Sequence, residues 1–233
     1  MRFLQIQHDH TNLLGAFEGP LAAAGSIDLW RTWEGPAPAS ARDYDGIVLM
    51  GGVMMPDEDD DHPWIPREVE LLQEGLEHEV PMLGVCLGSQ VLARAAGAPV
   101  GPARASEIGW NDIGLLPAGE EDRLLGPLGS GYRAFQWHHY NFSWPDGAVR
   151  LAETAASNQA YRLGPVAWGL QFHIEVDRAT TDWWLDVGRY DIDAHGVDYG
   201  RFAADTDALV DRNAAVAAEL AERFVGIARE RRG

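Results

Sequence analysis

Hydrophobic positions fall into short, nearly continuous runs in the first hundred residues. Residues 2–8, 46–50 (GIVLM) and 81–85 lack the polar alternation of a half-exposed strand, so each reads as a strand buried on both faces. Residues 26–31 read as a further strand. Residues 13–24 read as a helix that Gly25 ends. Residues 64–79 carry Val69, Leu72 and Leu76 on one helical face, and residues 89–96 suit a short helix. Buried strands alternating with helices predict a parallel sheet covered on both sides.

Beyond Gly97 the texture changes. Residues 108–117, 132–137, 149–154, 159–163 and 166–172 read as short strands punctuated by Gly, Pro, Asn and Asp, which predicts a mixed or antiparallel extension. Helix returns from residue 179. Leu209, Val216, Leu220, Phe224 and Ile227 recur on one face of a C-terminal helix, expected to pack on the core near Trp183 and Trp184. Without an internal repeat or a low-complexity linker, residues 1–233 are read as one domain, with a catalytic core over about 1–190 and a helical extension over about 191–233.

Composition narrows the chemistry. All 18 basic residues among the 233 are arginine, so Schiff-base, phosphate-loop and lysine general-base chemistry lack their amine. A formal charge of −18 argues against nucleic-acid binding, and no apolar stretch is long enough to span a bilayer. One cysteine, Cys86, cannot form an internal disulfide, and a secretory leader is not evident, so a reducing cytoplasm is the expected location.

That cysteine sits in Gly84-Val85-Cys86-Leu87-Gly88, where a buried strand meets a helix. G-x-C-x-G is a thiol version of the nucleophile elbow: a sharp turn lifts the side chain over the sheet edge, and the flanking glycines let neighbouring backbone approach. The helix N-terminus beside the sulfur favours thiolate. In Gln171-Phe172-His173-Ile174-Glu175, His173 and Glu175 are two apart, so on an extended chain both point the same way and the carboxylate can orient the imidazole. Gly51-Gly52 follows a strand expected to end on the same edge as Cys86. The Gly52 and Leu87 amides are therefore candidate donors for an oxyanion.

Together these strings resemble the class I, or triad, glutamine amidotransferases, and most of all the free-standing proteins similar to the amidotransferase half of GMP synthase. GVCLGSQ is similar to the family's nucleophile motif and FHIEV to its His-x-Glu motif. GGVMMPDEDDDHPW resembles its oxyanion loop with the acidic segment that follows, and EIGW and FQWHHYNF fall where the subgroup has similar strings. The resemblance implies an α/β three-layer, flavodoxin-like sandwich with a mostly parallel central sheet, an antiparallel extension and extra C-terminal helices. It implies that Cys86 attacks the side-chain amide of glutamine, His173 moves protons, Glu175 holds His173, Gly52 and Leu87 supply oxyanion amides, and Gln90, Trp137, His139 and Tyr140 bind substrate. No cofactor or metal is expected. A separate synthetase subunit is the expected partner, because no ATP-binding segment is visible. Where the family usually has Gly-Gly-Pro and His-Pro-Glu, this chain has Val53 and Ile174, so a looser site that depends on a partner is expected.

Other constellations are read as structural. His8-Asp9-His10 and the acidic run at residues 57–62 lack calcium-loop spacing and are expected to bind no metal. Trp30, Trp33, Trp183 and Trp184 are expected to serve packing. Either Arg104 or Arg133 could reach the thiolate. Two other functions stay open: a stand-alone hydrolase of γ-glutamyl amines or peptides using the same triad, and a non-catalytic regulatory or scaffold subunit.

Overall fold

A computed structural model describes residues 1–232. The first half alternates as expected: β1 (Arg2–Gln7), α1 (Glu18–Ala24), β2 (Ser26–Arg31), β3 (Gly46–Leu49), α2 (Ile65–Glu77), β4 (Met82–Val85) and α3 (Leu87–Ala95). Then come β5 (Val100–Asp112), β6 (Gly114–Leu115), the one-turn α4 (Pro117–Glu120), β7 (Arg133–Phe142), β8 (Val149–Glu153), β9 (Asn158–Leu163) and β10 (Ala167–Leu170). Three helices close the chain: α5 (Arg178–Val187), α6 (Arg189–Ala194) and α7 (Tyr199–Arg232).

Eight strands form one sheet in the order β2-β1-β3-β4-β10-β9-β8-β6. Its first five members run parallel; β9, β8 and β6 add the antiparallel extension. A separate antiparallel ribbon, β5 with β7, stands apart from that sheet. The register pairs Leu49 with Gly84, Gly84 with Gly169, and Val85 with Leu170. The chain therefore leaves β3, β4 and β10 side by side, which delivers residues 50–52, 86–88 and 171–175 to one carboxyl edge.

The core has two main layers. On one face Phe3, Val48, Leu83 and Trp168 pack against Leu220, Ala221 and Phe224 of α7. On the other Leu4, Ile47, Leu49 and Met82 pack against Leu72 of α2 and Val91 and Leu92 of α3. A third cluster joins the ribbon to the last helices through Ile108, Trp110, Phe135, Trp184, Ile192, Phe202 and Val210. Burying a side chain such as Phe224 contributes about 1.5–3 kcal/mol, so α7 is a structural layer of the sandwich.

Several element bounds differ from expectation for identifiable reasons. The helix expected over residues 13–24 begins only at Glu18, because Pro20 is tolerated only in a first turn and residues 11–12 are drawn to Asp9. Pro117 opens α4 instead of ending a strand. β7 continues to Phe142 because WHHYNF finds partners in β5, whose early residues carry no apolar alternation and whose register slips between Pro102 and Glu107. In α2 the buried stripe is Ile65, Glu68, Leu71 and Leu72, with Val69 and Leu76 only half-buried. On α7, Val210, Asn213 and Ala217 face inward while Leu209 and Val216 are half-buried.

Candidate active site

Cys86 occupies the elbow between β4 and α3 with φ 51° and ψ −111°, a conformation disfavoured for a residue with a side chain. The surroundings hold it there. Its N–H donates to the Leu170 carbonyl at 2.8 Å, and its carbonyl accepts from the Ser89 hydroxyl at 2.7 Å. The two glycines are sterically required: a Cβ on Gly84 would lie 2.6 Å from the Gly88 oxygen, and one on Gly88 would lie 2.4 Å from the Leu49 oxygen.

His173 and Glu175 lie beside the elbow, both almost fully buried. His173 Nδ1 donates to Glu175 Oε1 at 2.7 Å. The His173 N–H is anchored on the Phe135 carbonyl at 2.8 Å, and its ring meets the edge of Trp184 at 4.8 Å between centroids. Burial disfavours a charged imidazole, but the Glu175 carboxylate, aided by the Cys86 sulfur, outweighs that penalty. The ring's pKa is pushed up to about 10. Neither Arg104 nor Arg133 participates: Arg133 pairs with Asp205 at 2.8 Å, and Arg104 Nε donates to the Ala156 carbonyl.

Gly51 and Gly52 are hemmed in beside His173 and Leu87. A Cβ on Gly51 would lie 2.9 Å from His173 Cε1, and one on Gly52 would lie 2.6 Å from Leu87 Cδ2. Among the described residues, neither the Gly52 nor the Leu87 amide donates to a backbone carbonyl, and both residues line the cavity that holds Cys86 and His173.

Three supports of the site escape a reading of motifs, two under the Gly51-Gly52 loop and one under the His173 segment. His8 Nδ1 faces the Met50 and Gly51 carbonyls at 2.9 and 3.1 Å, and its Nε2 faces the Glu68 carboxylate at 3.0 Å. Both ring nitrogens therefore face oxygen atoms. The ring's pKa is raised, burial opposing the charge and Glu68 more than offsetting it. Second, Asp9 Oδ2 accepts from the Val53 N–H at 3.1 Å while its Oδ1 accepts from the amides of Thr11 and Asn12. A proline at residue 53 would have no proton to give, so this chain fixes the loop by a hydrogen bond where the resemblance led us to expect a pyrrolidine ring. Third, Asn213 of α7 donates to the carbonyls of Ile174 and Val176 at 2.8 and 3.0 Å and accepts from the Tyr132 hydroxyl at 2.6 Å. Ile174 itself is fully buried in the core. A buried Glu on α2 and a buried Asn on α7 are polar residues in apolar stripes, the one signal that could have pointed to the first and third.

The cavity measures about 360 Å³, and Gln90, Trp137, His139 and Tyr140 all line it. Gln90 donates to the Tyr140 carbonyl at 2.9 Å and to Gln171 Oε1 at 3.0 Å, so it is held in place by the ribbon. Gln171 also points its amide at Cys86 Sγ, 3.8 Å away. Trp137 Nε1 donates to Asp191 at 2.6 Å. Of the four tryptophans expected to pack, Trp30 and Trp184 are buried. Trp33 and Trp183 stay 37% and 46% exposed, and Trp183 with Val187 forms part of the cavity mouth. In the acidic run, Asp59 forms a two-pronged pair with Arg94 of α3 at 2.5 and 2.6 Å, which pins that loop to the helix that follows Cys86.

Fold and site together define a flavodoxin-like α/β protein with a cysteine elbow at the open edge of its parallel sheet. Residues 27–183 match the family described as Glutamine amidotransferase class-I, and the chain belongs to that family. The glutamine amidotransferase-like protein YfeJ of Salmonella typhimurium is 29% identical over 75% of this chain and 76% of its own length. A glutamine-hydrolyzing GMP synthase subunit of Ignicoccus hospitalis is 33% identical over 60% of this chain and 71% of its own. Among solved structures, a glutamine amidotransferase from Thermotoga maritima superposes with a TM-score of 0.86 at 29% identity, covering 97% of this chain and 98% of that one.

Proposed function

We propose that this protein hydrolyses the side-chain amide of glutamine at Cys86. The observation that carries the reading is the 2.7 Å bond from His173 Nδ1 to Glu175, beside a cysteine held in a strained elbow. The Cys86 thiolate attacks the amide carbon, and the oxyanion that forms takes hydrogen bonds from the Gly52 and Leu87 amides. His173 passes a proton to the nitrogen, the carbon–nitrogen bond breaks, and ammonia leaves behind a γ-glutamyl thioester. Water, deprotonated by His173, then attacks the thioester; the thiolate is expelled and glutamate departs. Each oxyanion donor is worth roughly 3–4 kcal/mol of barrier.

Similarity to a protein named as one subunit of GMP synthase supports an acceptor-binding synthetase as a separate partner that receives the ammonia. Among the described residues no helix is long and apolar enough to cross a membrane. An ammonia assay on the purified chain, with and without cell extract, tests the reading: release from glutamine is expected to disappear in Cys86→Ala, and release that survives the substitution refutes it.

One observation favours a second substrate class for the same residues. Trp137, Trp183, Trp184, Val187, Val53, Met54 and Met55 give the cavity a broad apolar mouth, more than the amide of free glutamine needs. A γ-glutamyl amine or peptide whose leaving group is apolar would use that surface. Comparing amine release from such compounds with ammonia release from glutamine separates the two.

A further inference from the structure

Beside the cavity, which His139 and Asp191 help to line, two imidazoles and one carboxylate converge. His139 comes from β7, Asp191 from α6, and His195 from the residue that ends α6. His139 Nε2 lies 3.1 Å from Asp191 Oδ2, and His195 Nδ1 lies 3.0 Å from Asp191 Oδ1. One donor atom from each of the three falls within 4.8 Å of the others. We propose that His139, Asp191 and His195 form a binding site for a zinc-class divalent cation.

The separations suit that ion. Two donors at about 2.0–2.1 Å from a tetrahedral zinc stand roughly 3.3 Å apart; here the Asp191 carboxylate lies between the two imidazoles, one oxygen 3.1 Å from His139 and the other 3.0 Å from His195. Two nitrogens and one oxygen select zinc-like metals over magnesium or calcium, which take oxygen ligands. Three protein ligands leave a fourth position for water or substrate. His195 Nδ1 also faces the Asp191 main-chain carbonyl at 3.0 Å, a contact that metal binding would replace; the other contacts suit a ligand set. His139 Nδ1 meets the Ser106 hydroxyl at 2.8 Å, so that nitrogen can keep the proton and leave Nε2 free to ligate; Asp191 is fixed by the indole N–H of Trp137 at 2.6 Å. The two imidazole rings stack at 4.7 Å, already presented side by side. Because Trp137 also lines the cavity and its carbonyl lies 3.9 Å from Cys86 Sγ, a bound ion would tie α6 to the strand facing the nucleophile.

Binding is read without turnover, so this proposal stands or falls apart from the glutaminase reading. The full chain without an affinity tag carries Cys86→Ser, which removes the one competing thiolate. It is titrated with Zn²⁺ by calorimetry and with Co²⁺ by visible absorption. One ion per chain, with Co²⁺ bands of tetrahedral type, is expected. His195→Ala should abolish saturable binding, and Ser106→Ala, which leaves all three ligands in place, should weaken it roughly 10–100-fold. No saturable Zn²⁺ binding by the parent, or binding unchanged in both variants, overturns the proposal. Should His195→Ala fail to fold, Ser106→Ala decides alone: weakened binding supports the site and undiminished binding refutes it.

Discussion

The two walls of the cavity are built by different rules. The wall around Cys86, the proposed nucleophile, where β3, β4 and β10 end, is buried backbone: a strained cysteine between glycines that admit no Cβ, anchored by main-chain hydrogen bonds. The facing wall, made by β7, α5 and α6, is side chain: Trp137, Trp183, Val187, His139 and Asp191, partly exposed, with Asp191 hydrogen-bonded to Trp137 and His139. One wall is fixed by close-packed backbone, which leaves Cys86 little freedom to move. The other can change residue by residue without disturbing the sheet, which is where substrate choice and ligand response can vary.

If that division holds, the largest effects belong to the wall around Cys86. Cys86→Ala is expected to reduce glutamine hydrolysis by roughly 10³-fold or more with the melting curve little changed, measured by ammonia release and circular dichroism. Next comes Glu175→Gln, expected to cost roughly 10²–10⁴-fold in kcat. It should also move the alkaline limb of the pH–rate profile below the value near 10 that Glu175 helps impose on His173, because the carboxylate that favours the imidazolium is gone. The same shift has a stability counterpart. A raised His173 pKa stabilises the folded chain fully below the ordinary imidazole value of about 6.5, and that contribution fades as pH rises towards 10. Chemical denaturation across that range should therefore show a decline that is smaller in Glu175→Gln.

Supports behind the wall should matter less. Asp9→Ala removes the carboxylate shared by the Val53, Thr11 and Asn12 amides, and a hydrogen bond to a charged acceptor, worth about 1.5–3 kcal/mol, translates to a roughly 10–100-fold fall in kcat. The smallest effect is expected from Trp183→Ala on the facing wall. Glutamine kinetics should stay within about threefold, whereas KM for a γ-glutamyl arylamide should rise, since fully burying a large apolar side chain is worth about 1.5–3 kcal/mol. A large loss of glutamine turnover in Trp183→Ala would erase the distinction between the walls.

Legibility in the sequence follows the same division. The elbow, the His-x-Glu pair and the double glycine are local strings, and unbroken apolar runs gave the parallel strands, so their meeting at one edge could be deduced from strand polarity alone. The β5–β7 ribbon was only partly readable, because GPARASE lacks alternation and its pairing depends on a partner some forty residues away. His8 with Glu68, Asp9 with Val53, and Asn213 with Ile174 join residues far apart in the chain, and no spacing rule announces them. The expectation that losing two prolines loosens the site rested on the motif alone; in the fold Val53 is tied by Asp9 and Ile174 is locked into the core.

The most direct test of the central claim is mass spectrometry of the intact chain after exposure to a chloroketone analogue of glutamine. The account predicts one adduct per chain, located on Cys86, formed much more slowly in Glu175→Gln and suppressed by excess glutamine. No adduct, or one whose rate ignores both Glu175 and glutamine, would contradict it.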